Sequence, residues 1–127
     1  MSITSDLIRG HTETIILAHL IEEDSYGYEI NKSIQQKTEN LYEMKEATLY
    51  SAFRRLEQSG MITSYWGGET TGARRRYYSI TPEGRECYGQ NRREWKTAQE
   101  LICKLIEPDN ISNTEPDSSD RNERSKL

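Results

Sequence analysis

The sequence predicts a mainly α-helical protein with one small β-hairpin and a long final helix. Apolar residues recur at helical spacing up to Gly60, and two β-prone runs then flank a glycine-bearing turn. A Thr-Pro-Glu sequence that suits a helix N-terminus follows the second run. Because only 33% of the 127 residues are hydrophobic, a single copy buries a thin core, and pairing with a second copy is expected.

Two helices are predicted in the N-terminal third of the chain. The first begins at a cap residue, Thr4 or Asp6, and its apolar positions continue at helical spacing to Ile21. Ser25 is the expected cap of the second helix, which runs to about Lys37 and has three inward-facing positions, Tyr28, Ile30 and Ile34.

The third helix and the hairpin follow in turn. Residues 46–59 carry one apolar stripe, and Gly60 supplies a left-handed stop. Residues 61–66 and 75–80 are β-prone and are joined by a glycine-bearing segment, which indicates a hairpin. Thr81 then caps a last helix, with Pro82 at its first position, and this helix ends before Pro108.

Basic residues are concentrated on the third helix and the hairpin, although the formal net charge is −4. Arg54 and Arg55 lie off the apolar stripe of the third helix, and three consecutive arginines follow the glycine-rich turn. A solvated helix face would explain Arg54 and Arg55. An ordinary surface loop would not explain the three consecutive arginines. A winged helix-turn-helix has this element order and meets a DNA duplex at these two places.

The sequence therefore predicts a winged helix-turn-helix DNA-binding domain at residues 1–80, a dimerisation helix at residues 81–107 and a disordered polar tail at residues 108–127. Strict alternation along the second strand would place Arg74 and Arg76 on one face and Arg75 on the other. The candidate DNA-contacting residues are Tyr26, Lys45, Ala47, Thr48, Tyr50, Ser51, Arg54, Arg55, Gly72, Arg74 and Arg75.

Several motifs in this order resemble the PadR family of transcriptional regulators, in its short form with a single C-terminal helix. They are YGYEI at residues 26–30, ATLY at 47–50, RRLE at 54–57, GMI at 60–62 and RRRYYSITPEG at 74–84. The resemblance implies a homodimer formed by the first and last helices, a recognition helix at residues 46–59 and a wing at residues 64–79. It also implies repression at a palindromic operator.

In the multidrug-responsive branch of this family, a flat pocket at the dimer centre is flanked by a tryptophan from each final helix. The resemblance places Trp95 there and implies a planar aromatic effector. The neutral Gln99 departs from the acid that cationic ligands would need. The implied ligand-binding residues are Leu7, Thr14, Trp95, Gln99 and Ile102.

Other classes of function find little support in the residues. No phosphate-binding glycine loop or nucleophile with a base is present, so an enzyme is not expected, and neither is a cofactor. His11 and His19 lack the partner ligands of a metal site. The sequence has no membrane span or secretory signal, so a cytoplasmic location is expected. The alternative function is a winged helix that docks on proteins without specific DNA binding.

Overall fold

The computed structural model describes residues 3–67 and 74–109, with side chains from Asp6 onwards. Its elements, in chain order, are α1 (Ile3–Arg9), α2 (Thr12–Glu22), α3 (Gly27–Lys37), α4 (Glu46–Gln58), β1 (Ile62–Gly67), β2 (Arg75–Ile80) and α5 (Pro82–Ile106). The predicted class, helices followed by an antiparallel hairpin and a long helix, is confirmed. By internal contacts the chain divides into two units, Met1–Arg92 and Arg93–Leu127. No helix within the described ranges is both long and apolar enough to cross a membrane.

The single N-terminal helix predicted from the sequence is wrong, because the chain breaks between α1 and α2. Gly10 lies at the break, and His11 is the N-cap of α2 with φ −110° and ψ 16°. Thr12 donates its hydroxyl to the Arg9 carbonyl at 2.8 Å, which satisfies one of the free carbonyls at the end of α1. Apolar spacing continues across the break, so periodicity alone merges the two helices.

The start of α3 also differs from the prediction. Ser25 is not the cap; it is fully buried, and its backbone exchanges hydrogen bonds with Tyr78 of β2, N to O at 3.2 Å and O to N at 2.7 Å. Tyr26 is the N-cap, in extended conformation and without a side-chain capping bond. Ile30 and Ile34 are buried as predicted, but Tyr28 is 69% exposed, so its assignment to the core is wrong.

Helix α4 supplies the centre of the core. Leu49, Phe53 and Leu56, the predicted stripe, are at most 2% exposed, and Ala52 is buried beside them. The Phe53 ring stacks on Tyr78 with centroids 3.9 Å apart and planes 15° from parallel. Gly60 ends the segment with φ +80°, the left-handed conformation that was predicted.

The hairpin and α5 are joined at Thr81. The strands pair from Ile62 with Ile80 to Gly67 with Arg75. Thr81 then accepts the Gly84 N–H on its hydroxyl oxygen at 3.0 Å, so the predicted N-cap is confirmed. The backbone N–H of Thr81 donates to the Met61 carbonyl at 3.0 Å, which fixes the start of α5 against the start of β1.

We expect Gly84→Ala to destabilise the fold by about 1 to 3 kcal/mol, the usual cost of overpacking a tight contact. A Cβ atom at this position would lie 2.2 Å from the Met61 carbonyl oxygen and 2.7 Å from Ile80 Cγ1. Urea denaturation measures the loss. Gly10→Ala is the matched control, because a Cβ atom there meets nothing within 4 Å. Equal stability of the two variants would mean that the backbone of α5 tolerates displacement from β1.

Candidate nucleic-acid interface

The exposed side of α4 carries the residues predicted to contact DNA. Ala47, Ser51 and Arg54 follow one another at spacings of four and three, so they share the face opposite the buried stripe. Lys45 is the N-cap and is exposed, and Thr48 lies half-buried on one flank. This face presents a hydroxyl, a guanidinium and a small side chain to solvent, which is a surface that fits a major groove.

Tyr50 lies on the other flank of α4 and is anchored at the start of α3. Its ring meets Phe53 edge to face at 5.4 Å, and the side chain remains 44% exposed. Its hydroxyl lies so close to Gly27 that a Cβ atom there would be 2.5 Å from Tyr50 Oη. Gly27 therefore allows the phenol to approach the N-terminus of α3.

The two arginines of α4 differ in their surroundings. Arg55 donates from Nε to Glu13 Oε2 of α2 at 2.7 Å and from Nη1 to Ser51 Oγ at 3.2 Å. Arg54 is exposed and has no ion-pair partner among the residues that the structure describes. Arg54 is thus the cation of this helix whose charge is available to an anionic partner.

The hairpin separates its arginines by face, as strand alternation predicts. The Arg75 guanidinium lies over the Tyr26 ring with Cζ 4.9 Å from the centroid, and the Tyr26 ring meets Tyr77 edge to face at 5.2 Å. Arg74 and Arg76 lie over Trp66 instead, at 5.3 and 5.8 Å. Gly72 falls outside the described residues.

The face that carries Arg75 is tied to the loop before α3. Tyr65 stacks on Tyr77 at 5.6 Å and donates its phenol to Asp24 Oδ2 at 2.6 Å. This hydrogen bond to a carboxylate is the main reason that the pKa of Tyr65 rises to about 12. Burial raises the pKa of Tyr78, the strand tyrosine that packs into the core.

Two of the exposed residues of α3 differ from the sequence analysis: Tyr28, which was wrongly predicted to lie in the core, and Lys32, which was not predicted as a site residue. Lys32 lies over the Tyr28 ring, with Nζ 5.9 Å from the centroid, and both side chains face solvent. The signal was present, because Tyr28 precedes the buried Ile30 by two residues, a spacing that puts them on opposite sides of a helix.

The residues implied as an effector site fall on different parts of the chain. Trp95, Gln99 and Ile102 are spaced four and three apart on α5, so they share one face, and Trp95 and Ile102 are 45% and 48% exposed. In the other unit, Leu7 is 69% exposed on α1. Thr14 of α2 accepts a hydrogen bond from Asn91 Nδ2 at 2.8 Å.

Comparison with known proteins gives matches over most of the chain. The model of the transcriptional regulator PadR-like family matches residues 16–90. An uncharacterized protein of Lysinibacillus sphaericus is 42% identical over 105 residues, which are 83% of this chain and 96% of that protein.

Solved structures agree with this match. A transcriptional regulator from Clostridium thermocellum is 56% identical, with a TM-score of 0.75, and covers 81% of this chain and 100% of its own. A PadR family transcription regulator from Clostridium difficile is 30% identical, with a TM-score of 0.65, over 76% of this chain and 99% of its own. The predicted winged helix-turn-helix class is confirmed by these similarities.

We expect the stabilisation that Tyr65 contributes to the folded chain to decrease at high pH. The folded chain keeps this proton up to about pH 12, whereas an unfolded tyrosine loses it near 10. Between these values the unfolded state binds fewer protons, so stability falls as the pH rises. The excess unfolding free energy of the wild type over Tyr65→Phe should be constant below about pH 9 and shrink above about pH 10.

Urea denaturation over a pH series measures this difference. In an Asp24→Asn background the pH-dependent part should become smaller, because the carboxylate that accepts the phenol proton is absent. A difference that grows above pH 10 would show that the phenol is not held by Asp24.

Proposed function

Because the chain belongs to the PadR-like family of transcriptional regulators, we propose that it represses transcription as a homodimer bound to a palindromic operator. Regulators of this family bind DNA and are not enzymes. In this proposal, residues 1–80 bind DNA, residues 81–107 form the dimer and residues 108–127 are a polar tail. The observation that carries the proposed DNA contact is the guanidinium of Arg54, which is exposed on the solvent face of α4 and has no ion-pair partner in the described part of the chain.

Helix α4 is the proposed recognition helix. Its buried stripe fixes the helix on the core, and its opposite face carries the exposed Ala47 and Arg54 and the half-buried Ser51. An arginine on such a face can bind a guanine edge with two hydrogen bonds. Lys45, Thr48 and Tyr50 extend the proposed contact, and so does Arg55, which donates from Nε to Glu13 and from Nη1 to Ser51.

The hairpin is the proposed wing, which binds phosphates or a narrow minor groove next to the recognition helix. Arg75 lies over the Tyr26 ring, and this contact restricts its guanidinium before DNA binds, so that it loses less freedom on binding. Arg74 adds a second charge at the start of the return strand, and Gly72, outside the described residues, stays a predicted contact.

A second copy is the proposed partner of α5. The later part of this helix exposes large apolar side chains to an extent that is unfavourable in an isolated chain; Leu101, Leu105 and Ile106 are 52%, 82% and 70% exposed. Pairing across a two-fold axis would cover them. Two symmetric recognition helices would then enter successive major grooves about one helical turn apart.

A planar aromatic effector is the proposed signal, bound between the subunits at Trp95. A two-fold axis duplicates the indole, and two indoles can enclose a ring between their faces. Leu7, Thr14, Gln99 and Ile102 complete the proposed pocket. The effector would weaken DNA binding only through its different affinity for the DNA-bound and free conformations, typically about 1 to 3 kcal/mol of coupling.

We expect Arg54→Ala to weaken binding to the operator by about 1 to 3 kcal/mol, the usual loss when an arginine contact to a base is removed. Fluorescence anisotropy of a labelled duplex, selected by the wild-type protein from a randomised pool, measures the affinity. Arg85→Ala is the matched control, since it removes an exposed cation from α5 without touching α4. If both variants bind equally well, Arg54 does not contact a base.

We expect Trp95→Ala to abolish ligand binding between the subunits. The probes are 2-naphthol and 2-naphthoate, titrated against tryptophan fluorescence, with Trp66 retained in the variant as an internal reference. Light scattering of the variant separates loss of the ligand from loss of the dimer. Equal quenching of the wild type and the variant would reduce Trp95 to a packing role. Probe binding without any change in operator affinity would contradict the proposed effect of the ligand on DNA binding.

A further inference from the structure

Three polar groups from three elements converge at the end of α4. Glu57 Oε2 accepts a hydrogen bond from the Ser64 hydroxyl of β1 at 2.5 Å. The same oxygen lies 3.4 Å from Arg76 Nη2 of β2, and Arg76 Nε donates to Ser64 Oγ at 3.1 Å. One carboxylate oxygen of α4 therefore contacts both strands of the hairpin.

These contacts lie on a defined face of the hairpin. Ser64 is paired with Tyr78, and Trp66 is paired with Arg76, so Ser64, Trp66 and Arg76 point to the same side of the sheet. Arg74 reaches the same side through its contact with Trp66. The Glu57 side chain is only 33% exposed, so its interaction with Arg76 is screened less than that of a fully exposed pair.

The hairpin is supported on both faces outside the core. On one face, Tyr65 and Tyr77 attach it to Asp24 and Tyr26, which precede α3. On the other, Glu57 attaches it to α4. Since α4 and the hairpin are the two proposed DNA-binding elements, the Glu57 contact adds a restraint on their relative position outside the core.

We propose that Glu57 is a positioning residue for DNA binding: it holds the wing against the recognition helix through Ser64 and Arg76. This inference rests on the proposed DNA contact by both elements. It also assigns Arg76 to the protein's own carboxylate, which leaves Arg74 and Arg75 as the wing arginines available to DNA.

The expected effect of removing the Glu57 charge is opposite to the effect that phosphate repulsion alone would give. Removing a negative charge from a DNA-binding surface strengthens binding when charge alone matters, because phosphate repulsion is relieved. Removing the charge of Glu57 should weaken binding instead, because the wing loses its fixed position. The wing must then lose conformational entropy when it binds phosphates.

The test compares Glu57→Gln with Glu46→Gln, which removes an exposed carboxylate from the same helix. Anisotropy with the duplex selected by the wild type gives the affinities at several salt concentrations. We expect Glu46→Gln to bind at least as tightly as the wild type. We expect Glu57→Gln to bind about fivefold more weakly, the upper range of a partly exposed ion pair, with a salt slope lower by about one unit.

Two further variants separate positioning from charge and from loss of fold. Glu57→Asp keeps the charge but is one methylene too short for both partners, so it should also bind more weakly; binding equal to that of the wild type would overturn the proposal. In the double variant Glu57→Gln/Arg76→Gln, the losses of the two single variants should not add, because both break one contact. Circular dichroism and urea denaturation establish that each variant is folded.

The outcomes distinguish this inference from the function on which it rests. A wild type that binds no duplex in a salt-dependent manner contradicts the proposed function and the role of Glu57 together. A wild type that binds DNA, with Glu57→Gln binding more tightly in parallel with Glu46→Gln, overturns the positioning role alone. Additive losses in the double variant would likewise overturn it.

Discussion

The contacts of Tyr78 are the constraint on which the proposed DNA-binding surface depends. Its ring stacks on Phe53 of α4, and its backbone pairs with Ser25 immediately before α3. One residue of β2 therefore fixes the hairpin, α4 and the start of α3 relative to each other. Aromatic stacking of this kind adds about 0.5 to 1.5 kcal/mol to the gain from burial, and it also restricts the angle between α4 and the strand.

A chain of net charge −4 can still present a cationic surface, because its acidic residues bind some of its arginines and not others. Around the fixed centre, acidic residues are used to hold basic ones: Glu13 binds Arg55, and Glu57 binds Arg76. Among the described residues, Arg54 and Arg75 have no such partner, and Arg75 lies over the Tyr26 ring. The distribution of paired and unpaired arginines, and not their total, decides which surface attracts an anion.

Local features of the fold could be predicted from the sequence because their causes lie within a few residues. The stripe of α4, the left-handed Gly60 and the Thr81 cap are of this kind, and all are observed. Ser25 was misassigned because its partner Tyr78 is remote, and a serine before a helix also fits a cap. The Gly10 break was missed because apolar spacing continues through it.

The sequence predicted which elements carry the candidate surface, but it did not predict which of their arginines are paired. The motifs identified α4 and the hairpin, yet they gave no sign that Glu13 would bind Arg55 from a distance of 42 residues, or that Arg76 would bind Glu57 from 19. Such pairs depend on how α2 and the strands pack, which spacing does not encode. The distinction between Arg54 and Arg55 therefore required the tertiary structure.

The central claim is that α4 and the hairpin bind one duplex as a single surface. The most direct test is the salt dependence of binding for the wild type and for a variant with Arg74→Gln and Arg75→Gln. Each lost phosphate contact lowers the slope of log K against log salt by about 0.9. We therefore expect the slope to decrease by up to about two units in the variant. An unaltered slope would contradict it, because the hairpin would then point away from the DNA.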